Sequence, residues 1–225
     1  KKGERVGLIF PTNLEFFDAF FGILLAGAVP VPLYPPVRLG RLGEYHERTA
    51  QMLEVVEARL VLADRKVIRI LGRTIALAHP DLGCRTLDDI EDSCLGEVSV
   101  TSADLALVQF SSGTTVDPKP VVLSHRALAA QAKILNSFWP DTPTEKQAGV
   151  SWLPLYHDMG LIGGILQPIY IGRPNILMSP MSFLQKPFRW LSAVSRFRCT
   201  TSGGPNFAYD LCVQKITPQQ REQLD

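Results

Sequence analysis

The sequence predicts an α/β fold in which parallel-rich sheets are flanked by helices. Short apolar segments of strand length alternate along the chain with longer segments of helix length. This β-α-β-α order favours parallel strands, because each crossover helix returns the chain to the same end of the sheet. The composition agrees, since 46% of the residues are hydrophobic and 20% are charged, as in an ordinary globular protein with a sizeable core.

The first hundred residues give the clearest alternation. We expect strands over 6–10, 29–33 and 60–63. We expect helices over 14–25 and 45–59, and a weak helix pattern over 67–71. Asn13 is placed to cap the first helix and Gly27 to end it. Residues 72–102 are less regular than the rest, and no helix or strand is predicted there.

The second part of the chain continues the pattern. Strands are predicted over 105–110, 121–123, 150–153, 175–178 and 199–201. Helices are predicted over 125–138, 158–170, 187–196 and 206–215, with a last helix that begins at Pro218. We therefore expect a first sheet-and-helix lobe over 1–100 and part of a second lobe over 101–225.

Charge and composition exclude several classes of protein. The formal net charge of +1 gives no electrostatic basis for binding nucleic acid or an anionic membrane surface. The uncharged stretch 19–37 approaches the length of a membrane span, but it is interrupted by Pro30, Pro32, Pro35 and Pro36. We therefore expect no membrane span, and no secretory leader is visible.

The cysteines and the acidic residues point to no metal centre. The four cysteines form neither a C-x-x-C pair nor a cluster with metal-ligand spacing, which favours reduced, cytoplasmic thiols. One acidic cluster, Asp88, Asp89, Glu91 and Asp92, has no residues nearby that complete a ligand set, so we interpret it as a solvated connector. No metal-binding residue is predicted.

A polar loop joins the strands predicted over 105–110 and 121–123. Its sequence runs Ser111, Ser112, Gly113, Thr114, Thr115, Val116, Asp117, Pro118, Lys119. Hydroxyls and backbone N–H groups donate to phosphate oxygens, a glycine permits a tight turn, and a lysine supplies a cation. The loop lacks the Walker pattern. The same residues also fit a plain Ser/Thr-rich hairpin connection, and the loop alone leaves both interpretations open.

The loop resembles the phosphate-loop signature of the adenylate-forming enzyme superfamily, which includes acyl-CoA synthetases, luciferases and the adenylation domains of peptide synthetases. It matches that signature at Ser112, Gly113, Thr114, Thr115, Pro118 and Lys119. It departs from it at Val116 and Pro120, where the family usually has glycine. Asp117 also adds a negative charge beside the expected phosphates.

Longer stretches narrow the resemblance to one subfamily. Residues 151–164 read Ser-Trp-Leu-Pro-Leu-Tyr-His-Asp-Met-Gly-Leu-Ile-Gly-Gly. Together with 30–36, 178–184 and 201–211, they are more similar to fatty acyl-AMP ligases than to acyl-CoA synthetases. The resemblance extends over nearly the whole chain, which is identified as an N-terminal-domain fragment of such an enzyme.

The resemblance implies ATP-dependent activation of a fatty acid as an acyl-adenylate, with Mg²⁺ screening the phosphates and an acyl carrier protein accepting the acyl group. The residues implied to hold the phosphates are Ser111, Ser112, Gly113, Thr114, Thr115 and Lys119. His157 and Lys119 are implied as catalytic, with His157 near the α-phosphate. The residues implied to contact the acyl substrate are Gly163, Gly164, Ser202, Gly203, Gly204, Pro205 and Asn206.

Simpler interpretations stay open for each of these residues. His157 fits a packed core histidine, and Asp158 fits a helix cap. Gly163 and Gly164 also fit tight helix packing, and 203–205 a plain strand-to-helix turn. The chain ends before the family's adenine-binding and acidic motifs and lacks its C-terminal lysine domain, so we expect the isolated piece to be inactive. Alternative functions are an acyl-CoA synthetase and a non-catalytic module that binds a lipid or a partner protein.

Overall fold

The fold is α/β, as predicted, and the described residues form two parallel sheets and one antiparallel ribbon. The structure is a computed structural model that describes residues 1–36, 39–90, 96–111, 119–138 and 147–225. It divides into two compact units, Lys1–Leu128 and Ala129–Asp225. The functional lobes expected over 1–100 and 101–225 remain a prediction.

The first unit is built on a four-stranded parallel sheet. Its strands are β1 (Arg5–Ile9), β2 (Val29–Pro32), β3 (Leu60–Ala63) and β4 (Cys84–Arg85). Their order is β2-β1-β3-β4, and every neighbouring pair is parallel. The two central strands and β2 are buried along most of their length, because helices must cover both faces of a parallel sheet.

The helix after β1 begins and ends where its capping residues predict. Helix α1 covers Leu14–Leu25, and the side chain of Asn13 accepts a hydrogen bond of 3.1 Å from the Phe16 N–H. Gly27 has a φ of 68°, and its N–H bonds the Leu24 carbonyl at 2.9 Å. Local hydrogen bonding therefore defines both ends.

Helix α2 (Leu42–Val55) ends four residues earlier than the predicted 45–59. Glu57 takes a left-handed φ of 49°, and the Ala58 N–H donates back to the Leu53 carbonyl at 2.9 Å. Glycine is the usual residue at such a left-handed helix end. Because glutamate occupies the position here, the sequence did not predict where the helix ends.

The expectation of an irregular segment over 72–102 was wrong for its first part. Helix α3 (Gly72–Ala78) and strand β4 lie there, and the weak helix pattern before them is a 3₁₀ turn over Ile68–Ile70. Helix α3 has no side-chain cap, and its Thr74 is fully buried beside His46 of α2. Packing against α2, rather than a local capping signal, therefore stabilises α3.

A β-hairpin and a long helix complete the first part of the chain. Strands β5 (Leu105–Phe110) and β6 (Pro120–Ser124) pair antiparallel, unlike the other strands. Helix α4 (His125–Ser137) follows directly. Its position is close to the prediction, whose last residue, Phe138, lies just beyond the helix.

The second unit is built on three short parallel strands. They are β7 (Gly149–Ser151), β8 (Asn175–Leu177) and β9 (Thr201–Ser202), in the order β8-β7-β9. The helices of this unit are a π-helix over Met159–Leu166, α5 (Gln167–Tyr170), α6 (Pro180–Gln185), α7 (Phe188–Arg196), α8 (Asn206–Lys215) and α9 (Pro218–Arg221). The prediction missed α6 and gave no indication of the π form.

The described cysteines are unpaired, and the described residues of the acidic cluster bond to neighbouring side chains. Cys84, Cys199 and Cys212 are free thiols, and burial raises the pKa of Cys84 to about 11. Asp88 pairs with Arg65, and the Asp89 carboxylate accepts from Thr86 in a capping box. Cys94, Glu91 and Asp92 lie outside the described residues. Over the described ranges, no helix combines the length and apolar composition that crossing a bilayer requires.

Acid is expected to weaken the first unit through His46. Its Nδ1 lies 2.8 Å from Thr74 Oγ1, and burial together with the Arg73 charge lowers the pKa of His46. The folded state thus favours the neutral ring. The contribution is full above the ordinary pKa of about 6.5 and is lost as the pH falls below it.

The matched variant is His46→Asn, whose side-chain amide stands where Nδ1 of the ring does and does not titrate. Urea unfolding between roughly pH 7 and pH 5 should show a steeper loss of stability in the original chain than in the variant. Parallel losses in the two proteins would show that His46 does not carry the effect.

Candidate functional site

The candidate phosphate loop is held closed at its base by the β5–β6 hairpin. The Ser111 N–H donates to the Lys119 carbonyl at 3.0 Å, and Phe110 pairs with Pro120 across the ribbon. Lys119 is exposed, with no carboxylate of the described chain in ion-pair range. The other predicted loop residues, Ser112, Gly113, Thr114 and Thr115, lie outside the described residues, as do Val116, Asp117 and Pro118.

Pro120 fits this hairpin without breaking its base. It is the first residue of β6, a position where a strand tolerates proline. The bond that closes the loop uses the carbonyl of Lys119 rather than the N–H that proline lacks. The departure of Pro120 from the family pattern is therefore compatible with a closed loop between two strands.

His157 and Asp158 stand in contact at the start of the π-helix. His157 Nδ1 lies 2.7 Å from Asp158 Oδ1, and the same carboxylate oxygen accepts from the Met159 N–H at 2.7 Å. Asp158 is thus the helix cap that the sequence left as one alternative. The Met159 N–H also donates to His157 Nδ1, at 3.3 Å. Nδ1 thus contacts its chain neighbours, which leaves Nε2 as the ring nitrogen for a ligand. The His157 side chain is 40% exposed.

Other atoms crowd the glycine-rich π-helix on one side. A Cβ at Gly160 would lie 2.1 Å from the Pro154 carbonyl oxygen, and one at Gly164 would lie 2.9 Å from Ser151 Oγ. The Gly164 carbonyl also accepts a hydrogen bond from the Asn175 side chain. π-Helices are rare and frequently lie at functional sites.

The two glycines predicted to contact the acyl chain have different surroundings. Gly164 is buried against Ser151, so close packing accounts for it. Gly163 is exposed, and a Cβ there would meet nothing within 4 Å. Of this pair, Gly163 is the one with open space beside it, and its role as an acyl contact stays a prediction.

The turn after β9 carries the remaining predicted residues. Ser202 Oγ accepts from Trp190 Nε1 at 2.7 Å and donates to the Val150 carbonyl at 2.8 Å. A Cβ at Gly204 would lie 2.8 Å from Trp152 Cζ2, whereas Gly203 faces open space. Pro205 precedes α8, which Asn206 begins, and both residues are exposed.

Parallel pairing brings several predicted segments to one edge of the second sheet. Strands β7, β8 and β9 run in the same direction, so the chain after Ser151, after Leu177 and after Ser202 leaves at the same edge. Ligands of open α/β sheets bind at this carboxyl edge. The hairpin that carries the phosphate loop belongs to the first unit.

Sequence reasoning missed two polar residues of the second unit. Asn175 bonds the π-helix carbonyl of Gly164, and Arg173 is buried and donates to Thr201 Oγ1 at 3.1 Å. Burial lowers the pKa of Arg173. Arg173 directly follows the turn at Gly172 and Asn175 begins β8. A single sequence gives no sign that a charged side chain there is buried.

No metal-binding group emerges from the part of the chain that the structure describes. Three or more histidine, cysteine, aspartate or glutamate side chains do not come together anywhere in those residues. These residues therefore provide no candidate ligand set for Mg²⁺.

The fold and these segments define a known class of enzyme. A family model described as AMP-binding enzyme matches residues 1–225, so the chain belongs to the AMP-binding enzyme family. The medium-chain-fatty-acid–acyl-carrier-protein ligase JamA of Moorena producens is 35% identical over 230 residues, which cover 100% of this chain and 38% of that protein.

Two further comparisons refine the likeness. A putative fatty-acid–CoA ligase of Mycobacterium bovis is 35% identical over 236 residues, covering 99% of this chain and 39% of that protein. The crystal structure of a fatty acyl-adenylate ligase from L. pneumophila in complex with acyl adenylate and pyrophosphate superposes with a TM-score of 0.86 at 36% identity, covering 100% of this chain and 38% of that one. The chain spans about two fifths of the length of such relatives.

Substitutions of two glycines in the π-helix test which of them is closely packed and which borders open space. Gly160→Ala should destabilise the second unit by about 2–3 kcal/mol, because its methyl group would overlap a backbone oxygen that cannot move aside. Gly163→Ala is the matched control and should stabilise by up to about 1 kcal/mol, through lower backbone freedom when unfolded. Chemical denaturation measures both, and equal effects would contradict the assignment.

Proposed function

We propose that this chain is part of an enzyme that activates a fatty acid with ATP to form an acyl-adenylate. The observation that carries the proposal is the family match over residues 1–225, with curated relatives named as fatty-acid ligases. The chain has two fifths of their length, so the activity belongs to the full-length protein.

In the proposed reaction a carboxylate oxygen of the fatty acid attacks the α-phosphorus of ATP. The new carboxyl–phosphorus bond forms as the bond from the α-phosphorus to the bridging oxygen breaks, and pyrophosphate leaves with its electron pair. The products are acyl-AMP and pyrophosphate. Charge builds on phosphate oxygens in the transition state, so fixed donors and cations are the main means of acceleration.

The phosphate loop is proposed to hold the β- and γ-phosphates. Its base is closed by the Ser111–Lys119 bond, which keeps the loop ends together at the end of a two-stranded ribbon. Backbone N–H groups and hydroxyls of 111–115 would donate to the phosphates, and the exposed Lys119 would add a positive charge. Mg²⁺ would enter with the nucleotide, and no residue of the chain is assigned to it.

His157 is proposed to act near the α-phosphate. Its Nδ1 contacts Asp158 and the Met159 N–H, which leaves Nε2 to meet a ligand. With a proton on Nε2, the ring would donate to a non-bridging phosphate oxygen as negative charge accumulates. The acyl chain would lie beside Gly163 and the turn over 202–206, at the carboxyl edge of the second sheet. The packed Gly164 would shape that wall from behind.

The acyl group is proposed to pass next to the thiol of an acyl carrier protein. The thiolate would attack the carbonyl carbon of acyl-AMP, forming a thioester and releasing AMP. The basis is the carrier-protein ligases among the relatives. The partners would thus be a fatty acid, ATP and a carrier protein, in the cytoplasm.

The first test is fatty-acid-dependent exchange of pyrophosphate into ATP by the full-length protein. Lys119→Met should lower kcat/KM for ATP by about 10- to 100-fold, the effect of one charge-assisted hydrogen bond. Lys133→Met, which removes an equally exposed lysine from α4, is the control and should be neutral. A folded wild-type protein without exchange across acyl chain lengths would sink the enzyme proposal. Absence of a heat of binding in calorimetry with ATP would then favour a non-catalytic module.

An acyl-CoA synthetase is the second candidate. The putative fatty-acid–CoA ligase among the relatives favours it. Both candidates share the first half-reaction, so only the acceptor separates them. We expect thioester formation from acyl-AMP with phosphopantetheinylated carrier protein to be faster than with CoA. The reverse order, measured by mass spectrometry under matched acceptor concentrations, would replace the first candidate with the second.

A further inference from the structure

Strand β9 is too short to be fixed by its backbone alone. It consists of Thr201 and Ser202, which pair with Gly149 and Val150 of β7. A two-residue strand makes few ladder bonds, and this one forms the edge of its sheet. Its position must therefore depend on side-chain contacts.

Ser202 supplies the central contact by bonding in two directions. Its hydroxyl accepts a hydrogen bond of 2.7 Å from Trp190 Nε1 and donates one of 2.8 Å to the Val150 carbonyl. The indole N–H of Trp190 thus fixes the hydroxyl so that its proton points at β7. These two hydrogen bonds, from Trp190 to Ser202 and from Ser202 to Val150, form a relay. Through it Trp190 of α7, which is 2% exposed, is joined to the end of β9.

Trp190 also packs against Trp152, which in turn lies against Gly204 of the turn. Trp190 lies edge-on to Trp152, with ring centroids 5.8 Å apart, and both rings contact Phe183. The six-membered part of the Trp152 indole occupies the space where a side chain at Gly204 would lie. The turn over 203–205 is therefore held from Ser202 on one side and from Trp152 on the other.

We propose that Trp190 is a positioning residue for the acyl substrate, which holds the 203–205 turn in place through the Trp190–Ser202–Val150 hydrogen bonds. This inference rests on the proposed function, in which that turn lies beside the acyl chain. Trp190 itself does not touch the substrate. The N–H of Trp190 is the group that bonds Ser202, and Ser202→Ala removes that bond while leaving the rings of Trp190, Trp152 and Phe183 in place.

The test compares substitutions that remove the relay with one that removes a similar bond nearby. Trp190→Phe deletes the N–H donor, and Ser202→Ala deletes the hydroxyl. Thr200→Val is the control. The Thr200 hydroxyl donates to the Ala148 carbonyl at 3.2 Å, so its loss also weakens the attachment of this segment but lies before β9 and away from the turn.

In the full-length protein, pyrophosphate exchange should show a KM for fatty acid raised about five- to tenfold by Trp190→Phe and by Ser202→Ala, the value of one hydrogen bond. The KM for ATP should not change. The double variant should be no worse than Ser202→Ala alone, because the two changes break the same relay. Thr200→Val should leave both KM values unaltered, even if it lowers the melting temperature equally.

Amide hydrogen exchange of the same proteins gives a readout that needs no activity. Peptides that cover 203–206 should exchange faster in Trp190→Phe than in the wild type and in Thr200→Val. Unchanged protection, or equal loosening in the control, overturns the positioning role. Faster exchange with an unchanged KM for fatty acid also overturns it, since the turn would then not meet the substrate. Faster exchange in a protein without any fatty-acid-dependent activity refutes the proposed function instead and leaves the relay as a structural bond.

Discussion

Parallel pairing of very short strands is the constraint on which the second unit depends. Three strands of two or three residues cannot hold together by backbone bonds, so a cluster of large side chains must support them. Trp152, Phe183 and Trp190 provide that support, with the Trp152 and Phe183 rings stacked at 4.0 Å. Because the strands are parallel, the segments that leave them gather at one edge, and the residues proposed to meet the acyl group lie there.

Glycines in this unit serve opposite purposes, and their surroundings distinguish them. Gly160, Gly164 and Gly204 are glycine because other atoms already occupy the place of a side chain. Gly163 and Gly203 have free space around them, so the packed neighbours define the backbone path while these two leave a surface open. Pattern alone treats all five alike. Only the three-dimensional structure shows that the first three glycines are closely packed and that Gly163 and Gly203 have open space beside them.

Elements with a strong local cause were predictable, and elements that depend on distant contacts were not. Helix α1 follows from Asn13 and Gly27, and α6 carried a usable signal in its capping Ser179 followed by Pro180. Helix α3 depends on packing, and the π form cannot be told from an α-helix by apolar spacing. For the site, the glycine stretches were visible in the sequence. The Trp190–Ser202 bond was not, since it joins a helix to a strand with no shared local pattern.

The π-helix has a consequence for how related chains can differ. Each of its hydrogen-bonded rings encloses one more residue than a ring of an α-helix, so the segment holds an additional residue within the same run of chain. Loss of a single residue there would let an ordinary α-helix form, and the widened turn would disappear while the residues after it kept their places. A change in length by one residue, and not only a substitution, can therefore alter the surface that this segment presents at the carboxyl edge of the second sheet.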